Sequence, residues 1–327
     1  MRILLTGATG FLGYRTLEYL VGFNYVKSII ATGRKLDKKR EIVNAKVKYI
    51  LGDLTNEMFV HELTYNVDVI INTAALSSPW GQKREFETAN VLTQKYLIES
   101  AKRNKISRFI YISSPSIYYN GKDRFNVKES DSLPKRFVNN YSKTKREAEI
   151  LLEDSGLDYI ILRPRAIIGR GDTVIMPRLI NAYNLGRLKI IGNGKNLVDL
   201  TSVLNVAHAI ERSIVANERA INNIYNITDG EPVLLWKNIN AVIEGIGMKR
   251  IKNKINFSVA NTAAFFLELI SKYITKKEPS LTQYSVGVLS KNFTLDISKA
   301  KKILGYSPII KTDESMNEFI KWFKSND

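Results

Sequence analysis

The chain has 327 residues, 44% hydrophobic and 25% charged, an ordinary globular composition with room for one large or two modest domains and a sizeable core. It has no cysteine, which excludes disulfides, thiolate nucleophiles and cysteine metal sites, and its two histidines, His61 and His208, lie far apart in sequence, so no metal is expected. The net charge of +17 comes from lysines scattered among Asn and Ile rather than from a patch, so no nucleic-acid partner is expected; with the first strand starting at once and no leader segment before it, a cytoplasmic location is.

Arg2-Ile3-Leu4-Leu5-Thr6 predicts a short buried strand. Gly7, Gly10 and Gly13 follow, and Phe11-Leu12 with Leu17 and Leu20 carry the period of a helix packed on a sheet. Such a unit binds a dinucleotide. Gly7 permits the tight turn, Gly10 lets the backbone approach a pyrophosphate, and Gly13 lets helix and strand pack closely, with the phosphates on free N–H groups at the positive helix end. The three-and-three glycine spacing differs from the two-and-three of the more familiar fingerprint, so the weight rests on the loop's place between strand and helix.

Residues 26–32 predict a second strand, ending in Thr32-Gly33-Arg34-Lys35. An NAD-preferring site carries an acid about twenty residues beyond the glycines to hold the ribose hydroxyls. Asp37 is the first acid here, and Arg34, helped by Lys35, is suited to a 2′-phosphate; the expectation is NADP(H) over NAD(H), the alternative a solvated loop arginine.

Strands are predicted at 47–51 and 67–72, with Gly52-Asp53-Leu54 and a helix capped by Thr55 between them. The small residues Thr73-Ala74-Ala75 would let the backbone pass close to a ribose. Helical periodicity covers 84–105, and strands follow at 109–113 and 160–163. Strands alternating with helices give an α/β fold with a parallel sheet covered on both faces.

Between the last two strands, Tyr141-Ser142-Lys143-Thr144-Lys145 opens a helix that places Tyr141 and Lys145 on one face. A free tyrosine has a pKa of about 10, and a cation on its face favours the phenolate and brings the group closer to the working range of a general acid or base. Ser113-Ser114-Pro115-Ser116 ends its strand at the carboxyl edge, where a hydroxyl can donate to a substrate carbonyl; at least one of these serines only satisfies turn backbone.

Beyond Arg163-Pro164 the alternation loosens: a short strand is predicted at 199–203, a helix at 205–216, a strand at 224–227, and mainly helix after Glu231. The expected division is a nucleotide-binding domain at 1–165, to which 199–227 return, and a smaller, mainly helical substrate domain at 166–198 and 228–327 that closes over the cofactor. The most apolar helix, 257–274, is interrupted by Ser258, Asn261, Thr262, Glu268 and Lys272, so a span is not expected; a buried or lid helix is, with interfacial membrane contact as the sharper alternative.

Together these residues resemble the extended short-chain dehydrogenase/reductase family, over nearly the whole chain: Thr6 to Gly13, Asp53-Leu54, Asn72 to Ala75, Asn90, Ser113-Ser114, Tyr141 with Lys145, Arg163-Pro164, and Lys299-Ala300 to Leu304-Gly305-Tyr306-Ser307-Pro308. The resemblance implies a Rossmann-type doubly wound parallel sheet. It implies that Gly7, Gly10 and Gly13, with Thr9, Phe11 and Leu12, hold the pyrophosphate, Asp53 and Leu54 the adenine, and that Thr73, Ala74, Ala75 and Asn90 lie along the cofactor. Pro164, Ala166 and Ile167 would border the nicotinamide. Tyr141 would be the general acid or base, Lys145 would bind the ribose and tune Tyr141, and Ser114 would polarise the carbonyl, with Ser113 or Ser116 as alternatives. A homodimer through the helices at 84–105 and 141–152 is a further implied possibility.

Sugar-nucleotide epimerases of this family usually carry an Asn where this chain has Ala166 and often an Arg where it has Val198. Asn205-Val206-Ala207-His208-Ala209 and the turn Ser77-Ser78-Pro79-Trp80-Gly81 resemble instead the 3β-hydroxysteroid dehydrogenase branch, with its sterol-type and 2-alkyl-3-oxoalkanoate reductase relatives. That branch implies a large apolar ketone or secondary alcohol, with Trp80 and Ser116 at the substrate and Arg165 or Lys195 meeting a carboxylate. The rival expectations are a sugar-nucleotide epimerase or reductase and a non-catalytic NADP(H) sensor.

Overall fold

The computed structural model describes residues 1–326. Seven strands form one all-parallel sheet: β1 (Arg2–Thr6), β2 (Ser28–Thr32), β3 (Val47–Tyr49), β4 (Val69–Asn72), β5 (Arg108–Ile112), β6 (Tyr159–Pro164) and β7 (Asn223–Ile227), in the order β7-β6-β5-β4-β1-β2-β3. The chain order reverses between β1 and β4, and that reversal opens a crevice at the carboxyl ends of the strands.

The helices are α1 (Phe11–Leu20), α2 (Glu57–Leu63), α3 (Lys83–Phe86), α4 (Thr93–Arg103), α5 (Asn140–Glu153), α6 (Met176–Asn184), α7 (Val203–Ile214), α8 (Leu235–Gly245), α9 (Phe257–Ile270), α10 (Gln283–Ser290) and α11 (Thr312–Asn326). Alternate side chains along each central strand enter opposite apolar layers. Ile3, Leu5, Ile110 and Leu162 pack with Leu17 and Leu20 of α1 and Val206 and Ile210 of α7. Leu4, Ile70, Phe109 and Ile161 pack with Leu63 of α2, Leu97 of α4 and Leu152 of α5. Burial on both faces explains why these strands are almost wholly apolar.

A third cluster joins Met176 and Ile180 of α6, Trp236 and Ile239 of α8, Ala260 and Ala264 of α9, and Met316 and Phe319 of α11. Ile297, Ala300, Leu304 and Tyr306, by contrast, pack into the core of the large sheet.

The predicted strands of the large sheet are found to within a residue or two. The single strand predicted at 199–203 is instead two short pieces, Leu197–Val198 and Thr201–Ser202, with different partners: Val198 pairs with Phe293, and Thr201 with Ile167. Ser202 caps α7, so that helix begins at Val203, ahead of the predicted 205. Asn56 rather than Thr55 caps α2, its Oδ1 accepting from the Phe59 N–H at 3.2 Å, while Thr55 N–H donates to Asp53. The helix predicted at 84–105 is interrupted by a π turn at Glu87–Leu92, and α9 runs on into another at Ser271–Thr275. A small mixed sheet of Val233–Leu234, Leu197–Val198, Phe293–Leu295 and Arg124–Val127 has pieces too short and too widely separated in sequence to show a period.

One buried ion pair pins α5 to β6. Glu149 is fully buried and Arg163 nearly so; Arg163 donates from Nε and Nη2 to the two carboxylate oxygens at 2.8 and 2.7 Å. Arg146 adds a bond to Glu149 at 3.0 Å, and the remaining Arg163 nitrogen donates to the Tyr118 hydroxyl, which donates to Asn226 at 3.1 Å. Burial alone would push the Glu149 carboxyl up, but the Arg163 charge beside it holds it below the ordinary carboxylate range. Because removing one partner strands the other charge away from water, Arg163→Met should lower stability by about 3–5 kcal/mol in urea unfolding, whereas Arg163→Met with Glu149→Leu should recover most of the loss.

Candidate active site

β1 ends at the glycine turn, and the turn has no room for other side chains. Gly7 has φ +68°, in the left-handed region, and a Cβ there would lie 2.7 Å from Thr73 Oγ1. A Cβ on Gly13 would lie 2.1 Å from the Gly7 carbonyl oxygen, so α1 can approach the strand only with glycine at that position. Gly10 supplies no side chain to cap α1, which leaves the first N–H groups of the helix free for an anion.

Polar side chains lock the crevice at the strand-order reversal. Asn72 Oδ1 accepts from Thr6 Oγ1 at 2.6 Å and from the Ala74 N–H at 3.1 Å, and its amide donates to Gln94 at 2.6 Å. Thr73 Oγ1 donates to the Thr6 carbonyl at 2.7 Å. These bonds set the path of Thr73-Ala74-Ala75 beside the glycine turn. Asn90 sits in the π turn between α3 and α4 and is buried. Its Oδ1 accepts from the Leu76 N–H at 2.7 Å and its Nδ2 donates to Thr144 of α5 at 3.1 Å. Asn90 thus fastens the loop after β4 to the helix that carries Tyr141 and Lys145, a brace for both.

Tyr141 and Lys145 share the inner face of α5, and the Tyr141 hydroxyl lies within hydrogen-bonding reach of Ser114 and Ser77. Burial pushes the phenol above its usual range and the two serines pull it partly back, so Tyr141 is protonated at neutral pH. Among the three serines, Ser114 is the one turned to Tyr141. Ser113 points toward Glu149, and Ser116 accepts from Ser114 Oγ at 3.0 Å while its N–H donates back to that oxygen at 3.2 Å.

Lys145 is buried, its Nζ donating to the Ile112 carbonyl and lying 4.3 Å from the centre of the Tyr111 ring. Burial lowers its pKa to about 7, against the opposing pull of Glu149 one helical turn on. The charge on Lys145 therefore depends on the same carboxylate that Arg163 anchors.

Around this centre the other predicted residues are placed as follows. Asp53 and Arg34 are exposed and near each other; hydrogen bonds from Thr55 lower the Asp53 carboxyl, and the Arg34 charge adds to the shift. Leu54 is buried. Ala166, just past Pro164 and next to Ile167, has φ +44°, a strained conformation for a residue with a Cβ. Trp80 is held in a tight turn by Ser78, and the Gly81 carbonyl that follows accepts from Asn140 at the start of α5. Arg165 does not face solvent. Its guanidinium stacks on Phe293 at 4.5 Å with Nε donating to the Phe293 carbonyl, and no carboxylate among the described residues forms an ion pair with it. Lys195 is exposed.

Several residues of the site have no signal in the sequence. Ser77 was visible only as part of a turn. Tyr284 of α10 lies edge-on against Tyr119, ring centroids 5.6 Å apart, and close enough to Tyr141 that Tyr141 hinders its ionisation. A cavity of about 540 Å³ adjoins this pair, lined by Tyr119, Val138, Phe257, Asn261 and Gly287. Another, of about 610 Å³, lies along β7 between Glu129 and Lys299, and none of the predicted site residues lines it.

A family model described as the NAD dependent epimerase/dehydratase family matches residues 3–228. The 3beta-hydroxysteroid-dehydrogenase/decarboxylase isoform 1 of Arabidopsis thaliana is 32% identical over 98% of this chain and 79% of its own length. The 2-alkyl-3-oxoalkanoate reductase of Shewanella oneidensis is 28% identical over 95% of this chain and 84% of its own. A crystal structure of UDP-glucuronic acid 4-epimerase from Bacillus cereus in complex with NAD aligns over 100% of this chain and 99% of that one, with a TM-score of 0.77 at 23% identity, which shows a common fold. A match running from β1 to β7, with a dehydrogenase related over almost the full length, makes this chain a member of the NAD dependent epimerase/dehydratase family.

Proposed function

We propose that the protein is an NADP-preferring oxidoreductase that interconverts a ketone and a secondary alcohol on a mostly apolar substrate. The observation that carries this is the convergence of Tyr141, Ser114 and Lys145 at the carboxyl end of β5, in the crevice that the glycine turn enters. That crevice fits a pyridine nucleotide: uncapped N–H groups at the start of α1, a turn that a Cβ at Gly7 or Gly13 would fill, and the backbone of Thr73-Ala74-Ala75 alongside. Thr9, Gly10, Phe11 and Leu12 would hold the pyrophosphate, Asp53 and Leu54 the adenine, and Pro164, Ala166 and Ile167 the nicotinamide side. Bound there, the nucleotide supplies or accepts the hydride.

The remaining chemistry belongs to the chain. Tyr141, protonated at neutral pH, gives its proton to the carbonyl oxygen during reduction and takes one back during oxidation. The Ser114 hydroxyl, whose single proton goes to Ser116 in this structure, would turn to donate to the same oxygen and stabilise the negative charge that develops there. The Lys145 ammonium stabilises the phenolate that Tyr141 becomes, and Glu149 favours that ammonium against its burial.

The preference for NADP rests on Arg34 at the end of β2, where the chain has an exposed guanidinium and no acid for the ribose hydroxyls. The apolar substrate is supported by the two curated relatives, named for a 3beta-hydroxysteroid and a 2-alkyl-3-oxoalkanoate, and by the aromatic surroundings Trp80, Tyr119 and Tyr284. Arg165, a buried cation that has Asp199 nearby but forms no direct ion pair among the described residues, is suited to an acid group on the substrate. A sugar-nucleotide substrate is less well served: Ala166 offers no amide, and Val198 is buried in the small sheet where an arginine would be needed for a diphosphate.

Two measurements test this reading. Tyr141→Phe should leave NADPH binding within about twofold by fluorescence titration while turnover of a 3-oxo substrate falls by about 10²–10⁴; retained turnover would refute the role. Arg34→Ala should raise the KM for NADPH by about 10- to 100-fold and leave that for NADH nearly unchanged, and equal effects on both would remove the case for NADP.

A further inference from the structure

Helix α9 is built inside out. Its inward face is small, with Ala260 and Ala264 fully buried, while Val259, Phe266 and Ile270 face water at helical spacing and Tyr273 and Ile274 of the following π turn extend the stripe. Phe266 is 57% exposed and Ile274 74% exposed, and Phe265 flanks them, packed edge-on against Phe266. A helix that folds only onto its own core carries its large apolar side chains inward. An outward stripe of this length marks a contact surface.

The charges around the stripe decide what it meets. Lys272, Lys276 and Lys277 are exposed at its end, and Lys252 and Lys254 are exposed just ahead of its start. The nearby acids are already engaged: Glu278 pairs with Arg178 at 3.1 Å, and Glu268 accepts from the Gln283 N–H at 2.8 Å. A second copy seated on this face about a twofold axis would bring lysines against lysines. An anionic lipid surface would instead take the aromatic and aliphatic stripe into its acyl boundary and the lysines among its phosphates. No helix among the described residues is long and apolar enough to cross a bilayer, so the contact lies in the interface plane.

We propose that the outward face of α9, from Val259 to Ile274 with the lysines at its two ends, docks the protein on the surface of an anionic membrane. The inner side of the same helix contributes Phe257 and Asn261 to the cavity beside Tyr119, so docking would set that cavity next to the membrane surface. The docking itself does not depend on which substrate the site takes.

The test is co-sedimentation of the full-length protein with vesicles of phosphatidylcholine alone and of phosphatidylcholine with phosphatidylglycerol. Binding should be strong to the anionic vesicles and weaker to the neutral ones, and it should fall with added salt. Phe266→Ser with Ile270→Ser should cut the anionic partition at least about tenfold, and Lys272→Glu with Lys276→Glu should do the same. Both double variants should keep the melting temperature and NADPH affinity of the parent, since all four side chains point to solvent. Absence of binding to either vesicle overturns the proposal, as does binding that the Phe266 and Ile270 changes leave intact. A concentration-dependent dimer in light scattering that those same changes abolish also overturns it, because a second copy would then cover the face.

Discussion

A lysine ammonium held out of water is costly, and most of the site is arranged around that cost. Lys145 lies between α5 and β5, with the Ile112 carbonyl and the Tyr111 ring as neighbours and Glu149 as its nearby negative charge. Glu149 is itself fixed by two bonds from Arg163, and Arg163 by Tyr118 and Asn226 beyond it. The chain of polar contacts therefore runs from β7 through β6 to the face of α5 that holds Tyr141. A change anywhere along it alters how readily the ammonium persists.

The same economy governs the nucleotide side of the crevice. Asn72 binds Thr6, Ala74 and Gln94 at the point where the sheet reverses its strand order, and Asn90 ties the following loop to α5. Neither asparagine needs to touch a ligand to matter. Their bonds fix the distance between the glycine turn, which suits phosphates, and the tyrosine, which suits a carbonyl. Asn90 is the buried residue of the π turn.

Much of this was legible in the sequence because the decisive spacings are local. Three glycines between a strand and a helix, and a tyrosine four residues before a lysine, are read from neighbouring letters. Glu149, four residues beyond Lys145, was equally near, but its role emerges only when β6 brings Arg163 against it. Arg165 does not face solvent, because the fold brings Phe293, distant in sequence, against its guanidinium. Ser77 and Tyr284 reach Tyr141 from two separate segments, with Tyr119 packed against Tyr284, so no periodicity announces them. The small mixed sheet was invisible for the same reason: its strands are two to four residues long and paired across the chain. The outward stripe of α9 shows that composition and burial are different quantities. The letters announced an apolar helix, and only the fold shows that its larger side chains face outward.

The account turns on the charge state of one amine, and that can be read directly. Titration of lysine side chains by carbon NMR, with the Lys145 resonance assigned by its loss in Lys145→Met, should show this group changing charge near pH 7, protonated below and neutral above. In Glu149→Gln, which removes the supporting carboxylate, the midpoint should move to lower pH, and the alkaline limb of kcat/KM for ketone reduction should move with it. A Lys145 that titrates with the surface lysines at about 10.4, or a midpoint that ignores Glu149, would contradict the account.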